Sequence, residues 1–359
     1  VGVNERSEPT LVSRRSQSFT IGLFLLLAAG LVAGLVQVPL VALGPGPTYD
    51  TLGEVAGKPI VTINGRQTYP TTGHLNLTTV QVADGLSALS ALRYWADPHW
   101  RVVPREAIYP SGKSSEQIEQ DNNRQFTDSE VKAEAAALGY LKLPVKVIVD
   151  SISPDAPAAP VLQAGDQLLS VNGIPVTAPS EVSQQLMRTR PGDQVTVTYR
   201  RGDAAPADGV VTVGRRPPGP NGDAPDGPQG FLGIVPGGIP LDPNEMKIQL
   251  NDIGGPSAGL IFTLALIDKL TPGELTGGRF VAGTGTITAY GAVGRIDGIA
   301  QKMIGAREAG ATVFLVPVGN CAQAADADHE GLQLIKVGSV EDAMNGLDDL
   351  NHGRTPPGC

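Results

Sequence analysis

From Ser16 to Tyr49 the chain carries no charged residue, and residues 21–36 read IGLFLLLAAGLVAGLV. An uncharged apolar run at one end of a chain has little reason to join a water-exposed domain. With Phe19 and residues 38–43 around it, the run approaches the ~20 residues that cross a bilayer as a helix. Arg6, Arg14 and Arg15 precede it, and the next basic residue is Lys58. The positive-inside rule then expects a cytoplasmic tail at 1–18, a single-pass anchor at 19–43, and an extracytoplasmic remainder at the cell membrane. A cleaved leader is the competing reading. Leaders have an apolar core of about 7–15 residues followed by small residues spaced A-x-A. The run here is longer, and its exit, VPLVALGPGP, lacks such a site.

The 359 residues suffice for roughly two domains of about 150 residues each. The net charge of −9, without a basic run, disfavours a phosphate-backbone partner, and 4% aromatics disfavours a base-stacking platform. No nucleic-acid partner is expected. Cys321 and Cys359 lie outside any CxxC pattern, and no metal cluster or cofactor motif stands out. Outside the cytoplasm the two cysteines are candidates for a disulfide pinning the C-terminal tail, with two unpaired thiols as the alternative. Residues 107–114, AIYPSGKS, end like a phosphate loop, but Ala107 replaces its first glycine, so ATP binding is not expected.

Residues 44–49 (GPGPTY) read as a stalk. Segments 60–63 and 74–82 read as strands, 84–94 as a helix, and 116–138 as a polar helix. The pattern changes at Gly139. A strand at 145–152 is followed by AGDQLLSVNG at 164–173, which reads as a turn, a strand and an Asn-Gly hairpin. A helix at 179–187 and an alternating strand at 194–199 follow. On AGDQLLSVNG, segment 139–216 resembles a PDZ domain, a small β-barrel with helices. Such domains take an extended peptide as an added strand. The resemblance places their carboxylate-binding loop near Gly139, Tyr140 and Leu141. Arg201-Gly202-Asp203 reads as a hairpin turn, and 217–229 as a linker. Strands at 231–235 and 246–250, a helix at 257–270, a strand region at 280–289, a helix at 300–309, a strand at 312–317 and a helix at 340–347 complete an α/β pattern, with 351–359 as a tail.

The sharpest motif is Asp252-Ile253-Gly254-Gly255-Pro256-Ser257-Ala258-Gly259-Leu260. A serine stands where a glycine-rich loop enters an apolar helix. Backbone N–H groups there can hold an oxyanion, and glycines let a substrate approach closely. The plainer reading of Ser257 is a helix N-cap. The second motif is Gly291-Ala292-Val293-Gly294-Arg295-Ile296-Asp297-Gly298-Ile299-Ala300-Gln301-Lys302. It puts a lysine in the first turn of a helix, among Ile299, Met303 and Ile304. A helix N-terminus and burial both disfavour the ammonium, and a lysine brought from about 10.4 to near 7 can take a serine proton. The plainer reading of Lys302 is a surface lysine.

Together the two motifs resemble the proteolytic domain of Lon-type proteases, on Gly255 through Gly259, on Gly291 through Gly310, and on VFLVP at 313–317. The resemblance is close over 230–350 and faint over 45–130. It implies an α+β fold: a Lon-type proteolytic domain (44–138 and 230–350) with an inserted PDZ domain, preceded by one transmembrane helix, as in YlbL-like proteins. It implies that Ser257 attacks the scissile carbonyl, Lys302 acts as general base and an acyl-enzyme forms. Thr284, in a TGTIT strand, would hydrogen-bond the lysine, and Gly254, Gly255 and Pro256 would shape the serine loop. Thr286 stands where the family has glutamate. Arg295 and Asp297 also differ from the usual family residues, and Asp252 lies two positions ahead of Gly254. With no ATPase motor, the resemblance implies ATP-independent cleavage of unfolded or flexible peptides and proteins. Lon-type domains often form rings, so a homo-oligomer is a further expectation.

Two rivals remain at this point. Gly255-x-Ser257-x-Gly259 also fits the GxSxG elbow of α/β-hydrolases, which needs an acid and a histidine downstream. Asp326 with His329, or Asp349 with His352, are the available pairs. The other rival is a peptide-binding adaptor with an inert dyad.

Overall fold

The first part of the uncharged run, with Arg14 and Arg15 ahead of it, folds as a helix, α1 (Arg14–Leu35), in the computed structural model. The structure describes residues 14–217, 229–239, 241, 245–250 and 254–359, so Asp252 and most of the 217–229 linker lie outside the described residues. The chain divides into two units, one of residues up to 45 and 80–113, the other of 46–79 and 114–359.

In the first unit α1 is apolar on every side, with Phe19, Leu26 and Leu35 at 82, 73 and 73% exposure. It stops at Leu35, short of the expected end of the anchor at 43. Pro39 supplies a reason, because it has no N–H to donate and biases the residue before it away from helix. Residues 44–49 are accordingly not a stalk but the body of a strand, β1 (Leu40–Asp50). Next come β2 (His74–Ala83), α2 (Ala88–Ala96) and β3 (Arg101–Pro104). The start of β1 pairs antiparallel with β3, Leu40 opposite Pro104 and Leu43 opposite Arg101. Among the described residues no helix is long and apolar enough to cross a membrane. The part of α1 whose side chains are described, 19–35, rises about 25 Å against a hydrocarbon layer of about 30 Å.

The second unit opens its helical part with α3 (Ser115–Tyr140), which begins at the residues that mimic a phosphate loop. Ser114 is the N-cap: its Oγ accepts from Gln117 N–H at 3.2 Å, and Gln117 Oε1 accepts from Ser114 N–H at 2.9 Å. After α3 comes an antiparallel sheet of β4 (Lys146–Ile152), β5 (Gln167–Val171), β6 (Gln194–Arg200), β7 (Ala207–Thr212) and β8 (Ile234–Ile239), with α4 (Pro179–Leu186) between β5 and β6 in sequence. Their order across the sheet is β7-β6-β5-β4-β8. Alternate valines, Val147 and Val149 on β4 and Val195 and Val197 on β6, are buried with Leu168 and Val182, as a period of two requires. Asn172 and Gly173 have φ of 52° and 74°, the pair of left-handed residues a type I′ hairpin needs.

The expected carboxylate loop at Gly139, Tyr140 and Leu141 is corrected here. Gly139 and Tyr140 form the last turn of α3, and Leu141 caps it. The strand that follows, β4, has β5 on one edge and β8 on the other, so it offers no edge to a peptide. β8 arrives from beyond the linker, a pairing that no local pattern announces.

Arg201 belongs to an ion pair. The buried Asp166 carboxylate accepts Gln163 N–H at 2.9 Å and takes Arg201 Nε and Nη2 at 2.8 Å each. Burial pushes the Asp166 carboxyl up, and the guanidinium with the backbone N–H brings it below its ordinary value. Arg201→Ala strands a buried carboxylate. It is expected to lower stability in urea unfolding, by less than for a fully buried pair because Arg201 is itself half exposed.

Further along the chain come α5 (Gly259–Leu270), β9 (Phe280–Gly283), α6 (Ile299–Glu308), β10 (Val313–Pro317), α7 (Cys321–Asp326), β11 (Gln333–Val337) and α8 (Val340–Asn351), and the short strands expected near 60–63 and 246–250 pair with each other as Val61–Ile63 and Met246–Ile248. In this unit the strands run β11-β10-β9-β2-β1, and β2, β9, β10 and β11 are parallel. Alternate residues face opposite cores. Val281, Val313 and Leu315 lie with Leu260, Ile261 and Phe262 of α5, whereas Ala282, Phe314 and Val316 lie with Ile299 and Met303 of α6. Coverage on both faces explains why 313–317 is apolar without alternation. α3 packs along α5, with Phe126 edge-on to Phe262 at 5.7 Å between ring centres. One of these helices precedes the antiparallel sheet in sequence and the other follows it, so that sheet is inserted into the α/β layer. Cys321 and Cys359 are joined by a disulfide, with Cα atoms 5.1 Å apart.

Candidate active site

Ser257 closes the loop that feeds α5, and it is not that helix's cap. The cap position belongs to Ala258, which makes no side-chain capping bond. Gly255 has φ of 89°, a conformation costly for any residue with a Cβ, and this turns the loop back toward the sheet. Two residues of α3 hold the loop from outside: Asn122 O accepts Gly255 N–H at 3.0 Å, and Ser129 Oγ donates to Pro256 O at 3.2 Å. Gly254 lies against the Asn122 side chain, where a Cβ would come within 2.9 Å of Asn122 Cβ. Gly259 is equally tight, since a Cβ there would come within 2.5 Å of Ile287 and 2.8 Å of Ser129 Oγ.

The inner side of the loop is stitched to the end of β9. Gly285 N–H donates to Ser257 O at 2.9 Å, Thr284 Oγ1 donates to the same oxygen at 3.0 Å, and Leu260 N–H donates to Gly285 O at 3.1 Å. These bonds break the strand expected over 280–289. β9 ends at Gly283, and Thr286–Ile287 pairs instead with Val293–Gly294. Thr286 therefore packs its Oγ1 where a Cβ on Gly294 would be, at 2.3 Å.

Lys302 reaches the loop from α6. That helix starts after Gly298 at φ 73°, and Lys302 N–H donates to Gly298 O at 3.0 Å. Asn320 fixes the preceding segment, its Oδ1 accepting from Ile296 N–H and its Nδ2 donating to Ile296 O, both at 2.9 Å. The Lys302 side chain is 4% exposed, which removes the surface-lysine reading. Its Nζ lies 2.7 Å from Ser257 Oγ and donates to Thr284 Oγ1 at 3.0 Å. Burial lowers its pKa from 10.5 to about 8, against the negative charge of Asp297, which raises it. An amine so tuned can receive the Ser257 proton near neutral pH.

The histidines of the elbow reading lie elsewhere. His329 Nδ1 donates to Ala327 O and His352 Nδ1 to Asp348 O, both on exposed surface, and Asp349 is taken by Arg354 at 2.6 Å. The partner of Ser257 Oγ is Lys302. Ser129, Asn122 and Asn320 were missed by sequence reasoning. Ser129 carried a faint signal, a small polar residue on the apolar stripe of Phe126 and Ala133, whereas the two asparagines carried none.

Thr284 is a positioning residue in this arrangement. Thr284→Val should cost roughly 10- to 100-fold in turnover by releasing the lysine and the serine carbonyl together. It should also shift the pH profile to lower pH, because the ammonium loses an acceptor. Thr284→Ser should restore both.

Comparison with known proteins finds two matching family models. Residues 252–348 match the model of the Lon protease (S16) C-terminal proteolytic domain, and residues 117–206 match a PDZ domain. The Lon protease of Phenylobacterium zucineum is 40% identical over 98 residues, 26% of this chain and 12% of that one. Lon protease 2 of Herpetosiphon aurantiacus is 35% identical over 108 residues, 30% of this chain and 12% of that one. The matched part is thus a small share of those relatives' length. The crystal structure of the PDZ domain of an SdrC-like protein from Listeria monocytogenes is 27% identical, covering 25% of this chain and 85% of that one with a TM-score of 0.21, too low to carry an argument. The PDZ assignment rests on the family model. Residues 252–348, which contain Ser257 and Lys302 in contact, match the Lon protease (S16) proteolytic domain and support a serine peptidase, on a chain that also matches a PDZ domain.

Proposed function

We propose that the protein is a membrane-anchored, extracytoplasmic serine endopeptidase of the YlbL-like kind, which cleaves unfolded or flexible polypeptides without ATP. The observation that carries the reading is the 2.7 Å contact between a buried lysine and Ser257 Oγ. Neutral Lys302 takes the Ser257 proton as Oγ attacks the scissile carbonyl carbon. The oxyanion forms at the backbone N–H groups where the loop enters α5. The Lys302 ammonium then protonates the departing amine, leaving an acyl-serine. Water gives a proton to Lys302 and attacks the ester, and Ser257 Oγ leaves with that proton.

The location is supported by the apolar, exposed α1 behind Arg14 and Arg15, and by the Cys321–Cys359 disulfide, which suits an oxidising compartment. ATP independence is supported by Ser114, whose hydroxyl serves as a helix cap rather than part of a phosphate loop. Peptide recognition by the inserted sheet falls to its outermost strands, β7 and β8, of which β8 packs against α4. A ring of copies is an expectation of the Lon resemblance.

The test is casein digestion by the full chain in detergent, without nucleotide or metal, read by mass spectrometry of released peptides. Cleavage by the wild type and none by Ser257→Ala is the expected result. Cleavage that survives Lys302→Ala would sink the dyad, and dependence on ATP would sink the motor-free reading.

A further inference from the structure

The first unit leaves an apolar face uncovered. α2 is capped by Ser87, whose Oγ accepts from Ser90 N–H at 3.2 Å. It turns Ala91 inward, with Leu86 and Ala42, and Tyr94 and Trp100 pack beside them. The opposite face carries Leu89, Leu92 and Trp95, at 56, 59 and 74% exposure. A spacing of three places them on one stripe. Arg93 is the helix's only charged residue. A helix on a water-exposed surface normally buries such a stripe and exposes its polar face, so the pattern is inverted.

Position says what covers it. Val38 N–H donates to Leu86 O at 2.8 Å, Ala88 N–H donates to Val36 O at 3.3 Å, and Gln37 bridges Ser87. α2 is thus fastened by its first residues to the point where α1 ends. From Ala88 to Trp95 a helix rises about 10 Å, comparable with the headgroup layer of roughly 5–8 Å. The stripe therefore begins where an inserted α1 would leave the hydrocarbon. Tryptophan favours that boundary, and an arginine beside the stripe suits anionic headgroups.

We infer that α2 is an interfacial helix, with Leu89, Leu92 and Trp95 seated in the headgroup–acyl boundary of the bilayer that α1 enters. This rests on the anchor reading of α1. It adds a second contact that holds the folded part of the first unit against the membrane surface.

The test uses the full chain in phosphatidylcholine–phosphatidylglycerol vesicles. Trp95 and Trp100 are the two tryptophans, so Trp100→Phe leaves Trp95 as sole fluorophore. Lipids brominated high on the acyl chain should cut Trp95 emission roughly twofold or more. Leu89→Ser with Leu92→Ser should remove that quenching while casein cleavage in detergent is unchanged. Should Trp100→Phe unfold the unit, the difference between wild type and Trp95→Phe reads the same contact. Resistance to alkaline carbonate extraction reports α1 separately. Resistant protein with unquenched Trp95 overturns the inference and leaves the anchor standing. Extractable protein overturns both. A blue-shifted Trp95 that brominated lipid does not quench means another protein surface covers the stripe, and this too overturns the inference.

Discussion

Lys302→Met is expected to lower cleavage by roughly 10⁴-fold or more, while making the fold more stable at pH 7. The two effects have opposite signs because one amine serves chemistry at the expense of the folded state. A drop from 10.5 to about 8 corresponds to about 3 kcal/mol, at roughly 1.4 kcal/mol for each tenfold change in proton affinity. The unfolded chain holds this proton more tightly than the folded one. The penalty is therefore full below pH 8, shrinks between 8 and 10.5, and is gone above. Methionine removes it but leaves Ser257 Oγ and Thr284 Oγ1 without their donor, at about 1 kcal/mol. A net gain of about 2 kcal/mol at pH 7, turning into a loss of about 1 kcal/mol by pH 11, is the expected outcome of urea titrations at both pH values. A purely structural lysine would give loss of stability instead. Ser257→Ala should be as inactive as Lys302→Met, and the double variant no worse than either, since the two act as one unit.

The second large effect is the wild type's own pH profile. With the base at about 8, kcat/KM should climb nearly tenfold per pH unit below 8 and level off above it, roughly 100-fold in all from pH 6 to 9. Asp297 is the nearby charge that opposes the shift. Asp297→Asn should therefore move the limb to lower pH and raise activity at pH 7. A flat profile from pH 6 to 9, or a limb that Asp297→Asn moves upward, would contradict the assignment of Lys302 as base.

Much of the active site was legible because its chemistry is carried by local constraints. Gly255 needs its positive φ, Gly254 and Gly259 need their missing Cβ atoms, and the parallel core strand at 313–317 needs its unbroken apolar run. Each constraint leaves a mark within a few residues. The errors arose where a contact joins distant segments. The TGTIT stretch looks like one strand, yet hydrogen bonds from the serine loop to Gly285 and Thr284 end it at Gly283. Gly139 through Leu141 looks like the entry to a peptide groove, yet β8 returns to close the neighbouring edge. GPGPTY looks like a stalk, yet it continues a strand.

The sequence by itself determined which residue types are available for catalysis, where most helices and core strands lie, and that residues 19–35 form an apolar helix. Periodicity, glycine and proline are local physics, and local physics survives in one dimension. Only the tertiary structure decided that Lys302 is buried and 2.7 Å from Ser257, that the lysine's pKa falls to about 8, and that Asn122, Ser129 and Asn320 hold the two loops. Desolvation and hydrogen-bond geometry depend on what surrounds an atom in space, and those surroundings come from α3, β9 and α6, which the chain order keeps apart.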